Sequence, residues 1–198
     1  MKKIEFVYRE ILYQSLEKKN NKLTQLAVAS KLNISLSTVN HALKPLRAMG
    51  AIDVKLKNFI VVDKWKILYY WASLRNISRD IIYQTRVDKP IQKIESEMPA
   101  DVVYGAFTAY KFKFKDVPAD YSEAYVYGSD EILDEIKKRF PESKNVPNLF
   151  VLKKDELMEN YGKTTTLAQT FVDLWNLKEW YAKEFLIALE NKINEMVK

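Results

Sequence analysis

Apolar residues in the first third of the chain recur at three- and four-residue spacing and then switch to alternation, and that change of period sets out the elements. Ile4, Val7, Tyr8, Ile11, Leu12 and Leu16 form one helical stripe, closed by the polar run Lys18-Lys19-Asn20-Asn21-Lys22. Leu23-Thr24 opens a second helix with Thr24 as its N-cap and Leu26, Ala27 and Leu32 expected on the buried face. After Asn33-Ile34-Ser35, Ser35 caps a third helix whose Leu36, Val39, Leu43 and Leu46 share a stripe. Pro45 in that helix removes the amide that would bond the His41 carbonyl, so a bend is expected there. Met49-Gly50 ends the helix, and the β-prone runs Ala51–Lys55 and Asn58–Val62 follow, joined through Leu56-Lys57-Asn58 as a short hairpin.

Helix, helix, turn, helix and hairpin in this order predict a winged helix-turn-helix over residues 1–62. Trp65, Leu68, Tyr69, Trp71, Ala72, Leu74, Ile77, Ile81 and Ile82 continue the helical spacing from Asp63 to about Tyr83, predicting connecting helices within 63–90. Residues 91–198 alternate between periods. Strands are expected at Asp101–Tyr104, Glu123–Tyr127 and Asn148–Leu152, and helices at Glu131–Phe140, Thr166–Trp175 and Leu177–Val197. Phe107–Phe114 satisfies both periods. The fold class expected is α+β: a winged module, then an α/β domain finished by helices.

Charge separates the halves. The chain of 198 residues carries a net +6, but residues 1–90 hold 17 Lys/Arg against 7 Asp/Glu and residues 91–198 hold 15 against 19. A basic half joined to an acidic one suggests that the first meets a polyanion, although a Lys-rich surface is also a habit of heat-adapted proteins. Zero Cys and one His exclude disulfides, thiol nucleophiles, thiolate zinc sites and multi-histidine metal sites, so no metal and no cofactor are expected. No run approaches the length of a membrane span and the first residues lack a signal-peptide core, which places the protein in the cytoplasm.

The third helix presents Ser37, Thr38, Asn40, His41 and Lys44 on its polar face, a set suited to base edges and phosphates in a major groove. Asn40 fits a bidentate contact to adenine, and Ser35, Lys31, Arg47, Lys55 and Lys57 flank it as capping or phosphate-binding groups, the last two from the wing. His41 has no nearby carboxylate and is read as DNA-facing rather than catalytic. In the second half, two-metal nucleotidyl transfer needs carboxylates at alternate strand positions, but Glu123 is followed there by Tyr125. Four glycines, at 50, 105, 128 and 162, provide no Gly-rich phosphate loop. No catalytic residue is therefore assigned. Asp173, between Phe171 and Leu174-Trp175, is expected as a buried acid paired with Lys or Arg.

With the winged module, the segments Val102-Val103-Tyr104-Gly105-Ala106, Tyr125-Val126-Tyr127-Gly128-Ser129-Asp130 and Leu167-Ala168-Gln169-Thr170-Phe171-Val172-Asp173-Leu174-Trp175 give the chain a layout that resembles the AbiEi-type antitoxin regulators. It is also similar to archaeal winged-helix proteins with a degenerate nucleotidyltransferase-like domain. The resemblance implies a helix at Phe107–Phe114, a non-catalytic nucleotidyltransferase-like fold over 91–198, and an autoregulating repressor that binds inverted repeats in double-stranded DNA as a homodimer. It further implies a functional link to a nucleotidyltransferase toxin of a type IV system, counteracted without a tight complex. Two other classes stay open: a nucleotidyltransferase enzyme working through Glu123, and a protein-interaction module using the acidic half.

Overall fold

In the computed structural model, which describes residues 1–197, α1 (Lys3–Leu16) buries Val7, Tyr8, Ile11, Leu12 and Leu16, the stripe its spacing predicts. It also buries Glu5, Arg9 and Glu10, because the opposite side of this helix packs against the second half of the chain. A two-residue strand β1 (Lys22–Leu23) leads to α2 (Gln25–Leu32), capped by Thr24, whose Oγ1 accepts from the Ala27 amide at 3.0 Å. The buried face of α2 differs from the expected one. Val28, Ala29 and Leu32 point inward while Leu26 and Ala27 face solvent, since the first set is the stripe that meets α1 and the following helix.

That helix, α3 (Leu36–Ala48), is capped by Ser35, whose Oγ accepts from the Thr38 amide at 3.1 Å, and it buries Val39, Ala42, Leu43 and Leu46. Pro45 lies inside it without ending it. The turn at its end needs Gly50, whose φ of +69° an L side chain rarely adopts. Strands β2 (Ile52–Val54) and β3 (Phe59–Val61) form the wing, and the sheet order β1-β3-β2 brings Lys22 opposite Ile60 and Ile52 opposite Val61.

Asp63 caps α4 (Lys64–Leu74), but the connecting helices expected up to residue 83 stop there. A 3-10 turn (Ile77–Asp80) leads into β4 (Ile81–Thr85), which pairs antiparallel with β7 (Leu149–Lys153), Thr85 opposite Leu149. Ile81, Ile82 and Tyr83 fit a half-buried sheet better than a helix once a partner strand is beside them, so long-range pairing overrides local spacing. A short helix α5 (Ile91–Ser96), β5 (Val103–Tyr104), α6 (Ala106–Phe114), β6 (Ala124–Gly128) and α7 (Asp130–Arg139) precede β7. The ambiguous stretch at 107–114 is thus helical.

The second sheet has the order β4-β7-β6-β5, with β6 and β7 parallel across the α7 crossover and both outer pairs antiparallel. One face of the sheet carries Val126 and Val151 beneath α7. The approach there is close enough that a Cβ on Gly128 would stand 2.9 Å from Ile132 Cγ2. The other face carries Tyr125, Tyr127, Phe150 and Leu152. At its Tyr127 end it is covered by α8 (Leu167–Trp175), capped by Thr166, with α9 (Ala182–Val197) packed alongside. The last helix begins five residues later than its apolar spacing suggests. The Asn176 amide donates to the carbonyls of Val172 at 2.9 Å and Ala72 at 3.1 Å, which ends α8 and ties the following turn to α4. No helix among the described residues is long and apolar enough to cross a membrane.

Buried ionic groups lock the two halves together. Arg75 Nε lies 3.2 Å from Asp173 Oδ1, both side chains 1% exposed, and the Tyr127 hydroxyl donates to Asp173 Oδ2 at 2.5 Å. The remaining Arg75 donors reach the Tyr127 hydroxyl at 3.1 Å and Asp80, and Asp80 also receives the Met1 ammonium at 3.0 Å. The acid expected at Asp173 is therefore buried and paired with an arginine. Burial pushes its carboxyl up, with the charge of Arg75 and the Tyr127 hydroxyl offsetting part of that. Burial likewise opposes the charge of Arg75, but the groups around it outweigh this and hold its pKa above the ordinary arginine value. From α1, Arg9 makes a two-pronged contact to Asp155 at 2.7 and 2.8 Å, Glu5 accepts from Trp71 Nε1 at 3.0 Å, and Glu17 accepts from the Leu167 amide at 2.8 Å.

Candidate nucleic-acid interface

Burial of Val39, Ala42, Leu43 and Leu46 fixes the rotation of α3, and the other side of the helix faces outward. Ser37, Asn40, His41, Lys44 and Arg47 are all exposed there, at spacings of three, one, three and three. A helix advances 100° per residue, so these five form one continuous strip. Lys44 and Arg47 have no ion-pair partner among the described residues, which leaves their charge available to an external anion.

The other expected contacts divide into two groups. The Thr38 side chain is half-buried and its hydroxyl lies 2.8 Å from Ser35 Oγ, so both hydroxyls serve the start of α3. Lys31 reaches Glu10 at 2.8 Å and lies over the rings of Tyr13 and Tyr161 at 5.4 and 5.9 Å. Since Glu10 is nearly fully buried and also accepts from the Tyr161 hydroxyl at 2.7 Å, Lys31 ties α2 to α1 and to the second half. Lys55 pairs with Asp53 on the same wing strand at 2.6 Å. Lys57 is exposed in the wing turn, held by the Lys55 amide donating to the Asn58 carbonyl at 2.8 Å.

Three apolar side chains join this surface. Leu56 at the wing tip is 98% exposed, Leu26 on α2 68% and Leu36 at the start of α3 51%. The described residues leave them largely uncovered, and aliphatic groups beside a polar strip suit thymine methyl groups and sugar edges. Sequence spacing assigned Leu26 and Leu36 inward. The signal that could have corrected this was the competing stripe Val28, Ala29 and Leu32, which excludes Leu26 from the core. Not all N-terminal charge gathers here. Lys64 is the first residue of α4, its pKa lowered by partial burial and then by the charge of Lys19.

In the second half, Glu123 is partly buried at the start of β6, with the Ser122 hydroxyl donating to it at 3.0 Å. Tyr125, at the alternate position, directs its hydroxyl toward Glu179 at 3.5 Å.

A family described as winged helix-turn-helix DNA-binding matches residues 10–53, from the middle of α1 through the recognition helix to the first wing strand. No curated protein and no solved structure matches the chain. The N-terminal part of this protein carries a winged helix-turn-helix DNA-binding domain.

Proposed function

We propose that the protein is a transcriptional repressor that inserts α3 into the major groove of double-stranded DNA and binds an inverted repeat as a homodimer. The observation that carries this reading is the outward strip of Ser37, Asn40, His41, Lys44 and Arg47 on a helix whose opposite side is locked in the core. Asn40 and His41 read base edges, Lys44, Arg47 and Lys57 neutralise phosphates, and Leu36 packs on a thymine methyl. Ser35, Thr38, Lys31 and Lys55 act at one remove, by holding the reading helix and the wing. A single module covers one half-site, so a palindrome calls for two copies.

The acidic half is proposed as the non-catalytic body of an autoregulating antitoxin of the AbiEi type. The order of winged module followed by a mixed four-stranded sheet and terminal helices supports this, and Tyr125 at the alternate position from Glu123 weighs against metal-dependent transfer. The test is selection of bound sequences from a random pool, followed by mobility shift on the chain's own upstream region. Enrichment of an inverted repeat supports the proposal; affinity equal to that for random DNA at moderate salt sinks it. Metal-dependent label transfer from a nucleotide, lost in Glu123→Gln, would replace the second part with an enzyme.

A further inference from the structure

Away from the DNA-reading strip, the outer part of the second sheet is left uncovered. Beyond Tyr127 the same face thins out beside Ile82, where Tyr125 and Phe150, 5% and 8% exposed, lie at the base of a groove, and the turn between α8 and α9 stands beside it as a wall. The space enclosed is about 1230 Å³. Its base is aromatic: the rings of Tyr125 and Phe150 stack on each other at 4.7 Å with 8° between planes, so little of either reaches the groove. Trp180, on the wall, is 77% exposed, a large ring with little of the protein against it.

The polar lining has one dominant sign. Glu123, Glu142 and Glu179 border the groove, against Lys178 alone. Glu179 is the informative member. One carboxylate oxygen is 3.5 Å from the Tyr125 hydroxyl, and the other is buried without a hydrogen-bond partner. A carboxylate oxygen removed from water and given no donor is costly to leave so. Here it sits beside a stacked aromatic pair. A flat cation with N–H donors would use the exposed indole and the orphan oxygen together: its face packs on Trp180 and its charge and donors meet Glu179.

We propose that this groove is a binding site for an aromatic amidinium or ammonium compound, packed on Trp180 above the Tyr125–Phe150 pair and ion-paired through Glu179. The site goes beyond DNA recognition and stands whether or not the chain is a repressor. Residues from β4, β6, β7 and the α8–α9 turn build it, so it exists only once β4 of the first half has paired with the strands of the second.

The experiment titrates benzamidine and its neutral isostere benzamide separately into the full chain without DNA, by calorimetry and by tryptophan fluorescence, with Trp180→Ala marking the share of the signal that comes from the groove. Benzamidine is expected to bind saturably at one site, at least tenfold more tightly than benzamide. Glu179→Gln, which keeps shape and removes charge, should erase that preference, while Glu195→Gln on the distant end of α9 should leave it unchanged. Should Glu179→Gln melt earlier than the parent chain, Trp180→Ala provides a second variant at an exposed position. It should weaken benzamidine severalfold. Equal affinity for amidine and amide, a preference that survives Glu179→Gln, unchanged binding in Trp180→Ala, or no saturable benzamidine binding would each overturn the proposal.

Discussion

Removing the acid at the centre of the buried network tests whether the two halves form one cooperative unit. Asp173→Ala leaves the Arg75 guanidinium without its partner at 3.2 Å and the Tyr127 hydroxyl without its acceptor at 2.5 Å. Both ionic side chains are 1% exposed, so water cannot replace the lost contacts. Breaking one partner of a buried pair costs about 3–5 kcal/mol. Asp80 still holds one end of Arg75, which places this case near the lower figure, about 3 kcal/mol. For a chain of this length each kcal/mol lowers Tm by about 2–4 °C, so a fall of about 6–12 °C is expected. Calorimetry and urea titration at neutral pH measure it, and a single transition should persist because α1, α4 and α8 all meet the network. Tyr127→Phe removes only the hydroxyl and should cost about 1–2 kcal/mol. Replacing the pair together, Arg75→Met with Asp173→Leu, should recover most of the loss, since the double change leaves no orphan charge. A cost below about 1 kcal/mol for Asp173→Ala, the range of exposed pairs, would refute the claim that this contact locks the halves.

Asn40→Ala should flatten preference at one base pair of the operator by about 1–3 kcal/mol, read by anisotropy on matched and mismatched duplexes. Lys57→Ala should lower the slope of log K against log salt by about 0.9 and leave Tm unchanged. Lys31→Ala should do the reverse, losing about 1 kcal/mol of stability with little change in slope, because its charge is spent on Glu10. At Asp80, burial raises the carboxyl pKa but Arg75 and the Met1 ammonium outweigh it and hold the pKa below the ordinary value. A depressed folded pKa contributes stability that is full above about pH 4 and is lost as pH falls through it, so Asp80→Asn should flatten the acid limb of a Tm–pH profile.

The winged module was readable because its signals are local. Thr24 and Ser35 cap the helices that follow them, and Gly50 ends α3 with positive φ. Where two stripes competed in α2, spacing could not choose; packing against α1 and α3 selected Val28, Ala29 and Leu32 over Leu26 and Ala27. The strand at Ile81–Thr85 was hidden for a different reason. Its partner β7 lies more than sixty positions onward, and without that partner the same residues read as helix. Asp173 could be anticipated from its apolar flanks, whereas Arg9 and Glu10 could not, their partners Asp155 and Tyr161 being about 150 positions away. The pairing of Lys55 with Asp53 was available from the sequence, since residues two apart share a strand face. The aromatic groove was out of reach, as Tyr125, Phe150 and Glu179 meet only through the sheet register and the late start of α9.

The charge asymmetry takes on a second meaning from these pairings. Several cations behind the excess of the first 90 residues never face DNA: Arg9 is held by Asp155, and Arg75 by Asp173 and Asp80. Asp155 and Asp173 belong to the acidic half, so part of the imbalance is a complementary join between the two halves, already neutralised in the fold. Lys31 and Lys55 are balanced within the winged module itself. What remains exposed and unpaired among the described residues of the proposed reading surface is Lys44 and Arg47 on α3 with Lys57 at the wing. If the proposed DNA reading holds, the salt dependence follows from these three, a slope near −2.7 per winged module at about −0.9 per phosphate contact. A slope scaled to the whole basic excess would instead require the buried join to open on DNA, exposing Arg9 and Arg75 at the cost of the network that fixes α1.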